Sequence, residues 1–329
     1  MGKSFIASVI IVLAAIIGFI VLSLILPPRE IVIKNLPEDS SITIFAVGDI
    51  MLDRGVEYKI QKEGKGDYRF PFLKIADELK KADILFGNLE GPISDKGKKV
   101  GSIYSFRSDP KAIEGLKYAG FDIFSLANNH MFDYQRVAFE DTMRILEENG
   151  IDYVGAGSSK EKAFSLKITE IKKTKIGFLA YTNLGPEAWR ATKGSSGIAW
   201  MSEKDIEKIK EDIGKAKQKT DVLIVSFHSG EEYATNTAPS QTFFARAFVD
   251  AGADLVVGHH SHVIQEIERY KDGWIAYSLG NFIFDQGFSE ETMEGLLLEV
   301  IIEDNKIKEL NPKEVKISKF FQPYLEKED

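Results

Sequence analysis

The segment Pro239–His262, PSQTFFARAFVDAGADLVVGHHSH, decides the fold class. Its first half reads as a helix over Pro239–Ala251, with proline near the start, where the missing N–H costs nothing. Gly252 stands where a left-handed helix cap belongs, and the apolar run Leu255–Val257 follows almost at once. That run opens directly into Gly258-His259-His260-Ser261-His262. The same helix–glycine–strand punctuation recurs at Ala119-Gly120-Phe121-Asp122 and Asn149-Gly150-Ile151-Asp152. Repeated in this way, it predicts α/β architecture.

Outward from this segment, continuous apolar runs predict strands at Ile42–Val47, Ile84–Phe86, Phe121–Leu126, Lys175–Tyr181, Val222–Phe227, Trp274–Leu279 and Leu296–Ile302. Helices are expected at Pro71–Lys81, Pro110–Ala119, Tyr134–Asn149 and Ser202–Lys217. From Trp274 the strands crowd together with fewer helices, which suggests an antiparallel portion. No composition break follows residue 41, so one domain is expected over 41–320, with 321–329 as a tail. Ahead of it, Phe5–Leu26 runs 22 residues without a charge, about 33 Å as a helix and enough to span a bilayer. It ends in Ile25-Leu26-Pro27-Pro28 rather than a small-residue cleavage site, so residues 1–26 are read as an uncleaved anchor and 27–40 as a linker. Lys3 on one side and Arg29 and Lys34 on the other leave orientation undecided by charge.

In α/β folds the binding groups gather past the carboxyl ends of strands. Asp49 and Asp53 follow the first run, Glu90 the second, and Asn128-Asn129-His130 with Asp133 the third. His228 and Glu232 follow Val222–Phe227, and Asn281 and Asp285 follow Trp274–Leu279. All five histidines of the 329 residues fall in these exits, a distribution that points to a metal or acid–base site. The chain has no cysteine, which excludes thiolate metal sites and thiol nucleophiles and leaves oxygen and imidazole ligands. Such ligands suit Mn, Fe, Zn or Co, and two ions could share a bridging carboxylate from Asp49 or Glu90. His260 and His262 face the same way if their segment is extended. With 42 basic against 50 acidic side chains, the chain lacks the cation surplus of a nucleic-acid-coating protein. It also lacks a nucleotide-binding glycine loop.

In order and spacing, Gly48-Asp49, Gly87-Asn88-Leu89-Glu90, Asn128-Asn129-His130, His228-x-Gly230-x-Glu232, Gly258-His259-His260-Ser261-His262 and Tyr277-Ser278-Leu279-Gly280-Asn281-Phe282 resemble the bacterial capsule-synthesis CapA (PgsA-like, poly-γ-glutamate) family. That family is itself similar to calcineurin-like metallophosphoesterases, and the resemblance covers Ile42 to Gln286. It implies a four-layer αββα sandwich with mixed sheets. It implies two divalent ions, the first held by Asp49, Glu90 and His262, with Glu90 bridging to a second held by Asn129, His228 and His260. His130 would protonate a leaving group, with Asp133 orienting its ring. Met51 stands where the phosphoesterase pattern has a histidine, so Asp53 or a water would complete the first site. His259 competes with His260 for one role, and Ser229 replaces the tryptophan expected after the lone histidine. Glu232 is a further candidate base, and Arg107, Asn281 and His259 are candidate substrate contacts.

With the Phe5–Leu26 anchor, the favoured reading is a single-pass membrane protein with its domain outside the cytoplasm, and the resemblance supplies its role. Its role would lie in capsule or poly-γ-glutamate synthesis, export or attachment, with synthase subunits as partners and an acidic polymer or phosphate-containing substrate. Metal-assisted hydrolysis or transfer is the expected chemistry. The rival readings are a metallophosphoesterase acting on a small phosphodiester or cell-wall precursor, and a non-catalytic scaffold that binds the polymer.

Overall fold

The computed structural model describes residues 41–326. The Phe5–Leu26 span, the 27–40 linker and the last tail residues, 327–329, lie outside the described residues. Among the described residues no helix is long and apolar enough to cross a membrane.

Strand β1 (Ile42–Ile50) shows how side-chain alternation builds the layers. Ile42, Ile44 and Ala46 enter one apolar cluster, whereas Phe45 and Val47 enter another. β1 pairs in parallel with β2 (Ile84–Leu89), which leads to β3 (Ile123–Ser125) and β4 (Asp152–Val154). After the short pair β5 (Ala156–Gly157) and β8 (Gly197–Ile198), the second sheet takes β6 (Lys167–Ile171), β7 (Thr174–Thr182), β9 (Val222–His228), β10 (Leu255–His259), β11 (Ile267–Tyr270) and β12 (Gly273–Ala276). The chain then returns to the first sheet as β13 (Asn281–Ile283), β14 (Glu294–Glu303), β15 (Lys306–Ile317) and β16 (Pro323–Leu325). Both sheets are mixed, and the antiparallel pairs of β14, β15 and β16 supply the expected antiparallel portion.

The helices are α1 (Arg54–Lys62), α2 (Ala76–Leu79), α3 (Ala112–Ala119), α4 (Gln135–Glu148), α5 (Lys160–Ala163), α6 (Ile206–Lys217) and α7 (Pro239–Asp250). One cluster joins the facing sheets through Ile44, Phe86, Phe178, Ile224 and Val257. A second packs Val56, Leu116 and Phe139 against the outer face of the first sheet, and a third packs Ile209, Ile213 and Phe248 against the second. The order is helix, sheet, sheet, helix. Gly120, Gly150 and Gly252 all take positive φ (88°, 71° and 113°), as the punctuation required.

Five corrections follow from the structure. The helix expected over Pro71–Lys81 splits into a tight turn, Phe70–Phe72, and the short α2, because Phe72 buries completely while the chain bends around it. Helix α1 was not expected: only Val56 and Ile60 bury, too thin an apolar stripe to read. The run Phe121–Leu126 forms only the three-residue β3, since Phe121 and Leu126 leave the ladder to pack in the core. Trp274–Leu279 is not one strand. It stops at Ala276, and the chain crosses between sheets through Gly280, whose φ is 68°. Strand β16 lies within the stretch read as a tail.

Candidate metal centre

Strand register assembles the centre. In the first sheet Asp49 lies opposite Asn88 of β2 and Asn281 of β13; in the second, His259 lies opposite His228. The pairing of β1 is irregular on both sides of Asp49, the sort of break that re-aims a side chain at a strand end. Close approach needs glycine here: a Cβ on Gly48 would sit 2.0 Å from the Gly280 carbonyl oxygen. The Gly280 carbonyl in turn accepts the Asp49 N–H at 3.0 Å.

Asp49 is the hub. Its Oδ1 accepts from Asn88 Nδ2 at 2.8 Å and its Oδ2 from the His260 N–H at 3.1 Å. His259 Nδ1 and His262 Nδ1 each lie 3.4 Å from it. Burial pushes its carboxyl up, but these two imidazoles outweigh burial and hold it well below the usual range. Glu90 is driven the other way: burial, then the Asp49 charge, raise it well above an ordinary glutamate. Burial opposes the charge on His262 as well, yet Glu90 and Asp49 overcome it and lift the ring to about 9. Burial and the neighbouring His262 depress His260 to about 3, and burial with His260 holds His228 well below its ordinary value. His228 Nε2 meets Asn129 Oδ1 at 2.7 Å and its Nδ1 meets Asn88 Nδ2 at 3.3 Å, so a neutral ring protonated on Nε2 satisfies both.

The donor atoms fit a divalent cation. Those of Asp49, Glu90 and His262 lie within 4.8 Å of one another, as do those of Glu232, His260 and His262. Glu90 Oε1 and His260 Nδ1 are buried without a hydrogen-bond partner, which native interiors rarely tolerate. All these donors are oxygen or imidazole, the set that suits Mn, Fe, Zn or Co. Beside them His130 Nδ1 meets Asp133 Oδ2 at 2.7 Å, and that oxygen also accepts the Phe106 N–H at 2.8 Å. The opposite ring nitrogen, Nε2, lies 3.7 Å from Glu90 Oε1. A cavity of about 350 Å³ is lined by Arg54, Phe106, His130, Glu232, Tyr233 and His262.

Asp49, Glu90, His260 and His262 therefore meet, with Asn129 and His228 adjacent and Asp133 on His130. His260 and His262 converge by a route other than an extended segment. The strand stops at His259, and φ values of 93° and 56° turn the two residues back. Arg107 is elsewhere: its guanidinium donates to the carbonyls of Asp95, Lys96 and Gly97 and covers the Tyr134 ring at 4.2 Å. Asn281 spends its amide on His262 Nδ1, Gln286 and the Thr292 carbonyl, which makes it a support for His262 rather than a substrate contact. His259 is fully buried against Asp49, away from the cavity lining. Asp53 caps α1 and accepts the Arg107 N–H at 2.7 Å, so it does not stand in for the histidine that Met51 replaces. Asn88, between Asp49, Glu90 and His228, was missed although its strand-exit position could have signalled it. Asp285 stood at a strand exit, but its pairing with Arg54 across 231 residues had no local signal, since only the folded chain brings the two to the cavity.

A family model described as bacterial capsule synthesis protein PGA_cap matches residues 43–286. The chain belongs to that family. Among its relatives are the capsule biosynthesis protein CapA of Bacillus anthracis, 35% identical over 82% of this chain and 66% of that one, and the PGA biosynthesis protein CapA of Bacillus subtilis (strain 168), 32% identical over 81% and 69%. The chain thus spans about two thirds of the length of these PGA_cap relatives. Among solved structures, a Mycoplasma pneumoniae protein described as a novel phosphatase aligns at a TM-score of 0.49 and 16% identity, over 84% of this chain and 94% of that one.

Proposed function

We propose that this PGA_cap chain works in capsule or poly-γ-glutamate biosynthesis, carrying a metal-dependent hydrolase or transferase site that acts on the acidic polymer or its attachment bond. In this reading Phe5–Leu26 anchors the chain, the domain lies outside the cytoplasm, and the synthase subunits are its partners. The observation that carries the catalytic reading is Glu90 Oε1, a buried carboxylate oxygen with no hydrogen bond, 3.6 Å from His262 Nε2 and 3.7 Å from His130 Nε2. Asp49, Glu90 and His262 would hold one divalent ion. His228, His260 and Asn129 would hold a second, with Glu232 within reach of His260 and His262. Divalent ions bound there supply Lewis acidity and stabilise developing negative charge.

The rest is the work of the chain itself. Asp133 holds the Nδ1–H of His130 and stabilises the imidazolium, which leaves Nε2 to give its proton to the departing nitrogen or oxygen. Phe106 lies against the His130 ring with centroids 4.1 Å apart and limits water around it. Asn88 and Asn281 hold Asp49 and His262 in place. The test is elemental analysis of the purified full chain, followed by incubation with γ-linked glutamate polymer and a generic phosphodiester. Stoichiometric metal, with polymer cleavage or transfer abolished by His130→Ala, is expected. Metal at the buffer blank would overturn the catalytic reading. Phosphodiester cleavage alone would assign the site to a phosphoesterase, and intact bound polymer would make it a scaffold.

A further inference from the structure

Of the residues lining the cavity, Arg54 is the one that carries a permanent positive charge, among the carboxylates of Glu232 and Asp285. Building on the acidic-substrate reading above, we propose that Arg54 is the specificity-determining anchor of this site. It would take a carboxylate or phosphate oxyanion of the substrate that neighbours the reacting bond and is not itself attacked.

The guanidinium is held along one edge only. Nε meets Asp285 Oδ2 at 3.1 Å and Nη2 meets Asp285 Oδ1 at 2.9 Å. Nη1 has no hydrogen-bond partner among the described residues. Asp285 is itself fixed, because its Oδ2 also accepts the Gly55 N–H at 2.9 Å. A Cβ at Gly55 would come within 2.8 Å of that carboxylate, so the close approach needs glycine. The clamp thus orients the planar fork and leaves donors over, the arrangement by which arginine selects oxyanions. The Arg54 carbon centre lies 5.2 Å from the Phe106 ring centroid, and Phe106 in turn packs on His130. One aromatic ring therefore separates the anchor from the proton-donating imidazole. The backbone pays attention to the same residue: Arg54 takes φ 54°, a left-handed conformation that a branched-free but bulky side chain adopts at a cost and that clusters at functional sites. At 35% side-chain exposure the group is reachable from solvent.

The experiment uses the metal-loaded full chain and three probes: a fluorescent γ-linked glutamate decamer, the matching neutral decamer in which every α-carboxyl and the chain end is a carboxamide, and inorganic phosphate. Wild type should favour the charged decamer over the neutral one. Arg54→Gln should weaken the charged decamer and phosphate roughly tenfold to a hundredfold, with the neutral decamer and metal content unchanged. Arg54→Lys, which keeps charge but not the fork, should fall between them and serves if the glutamine variant does not fold. Unchanged affinity of both variants for the charged decamer and phosphate overturns the proposal, and so does an equal loss for the neutral decamer. If wild type ignores both decamers yet binds phosphate in an Arg54-dependent way, the anchor stands and the polymer reading of the site falls.

Discussion

Replacing Gly48 with alanine tests whether the crossing of the two sheets sets the site. The added Cβ would stand 2.0 Å from the Gly280 carbonyl oxygen, about 1.4 Å short of ordinary contact, and the obstacle is backbone rather than a movable side chain. Overpacking of this kind costs about 1–3 kcal/mol. The displaced carbonyl also accepts the Asp49 N–H at 3.0 Å, a bond worth about 1 kcal/mol. Gly48→Ala should therefore lose about 2–4 kcal/mol in urea unfolding. Because Asp49 moves with its backbone, metal affinity should fall by about tenfold or more. Gly214→Ala is the control with opposite sign. Gly214 lies inside α6, and its Cβ would meet nothing nearer than the Ala251 carbonyl oxygen at 3.7 Å. Helix propensity then favours alanine by about 0.8–1.0 kcal/mol. Unfolding midpoints of both variants, with chelator and with added metal, decide the matter. If Gly48→Ala unfolds and binds metal like wild type, the sheet crossing does not position Asp49 and the reasoning fails.

Three further outcomes are expected. Asp133→Asn should cut turnover by about 10²-fold or more with little change in KM, because the His130 ring loses the carboxylate acceptor that fixes its orientation and tautomer. Turnover close to wild type, or a loss carried by KM alone, would count against this role. In the chelated protein, melting temperature should peak near pH 6.5. Below that, His260 (about 3 when folded) and the depressed His228 must gain protons on unfolding; above it, His262 (about 9) holds a proton that the unfolded chain releases. Added divalent metal should flatten the alkaline limb, and a melting temperature level from pH 5 to 8.5 would contradict the assigned environments. Arg107→Met should destabilise by about 1–2 kcal/mol through the lost carbonyl contacts while KM stays constant; a raised KM in steady-state kinetics would return Arg107 to the substrate.

What the sequence by itself determined was local. Glycine at 120, 150 and 252 ended helices because only a left-handed residue continues there, and β1 split its side chains between two cores because strands alternate. The strand-exit histidines and Asp49, Glu90 and Asn129 were legible for the same reason: chemistry collects where strands end. Tertiary structure decided which of those groups touch. Asp49 reaches the His260 N–H across 211 residues, and register alone puts it opposite Asn88 and Asn281. Two arginines illustrate the limit. Arg107 and Arg54 look equally free in the chain, yet one is consumed by the carbonyls of a loop and the other is turned by Asp285 toward the cavity. Long-range pairing has no local signature, because the energy that selects it comes from contacts the chain makes only once both sheets are packed.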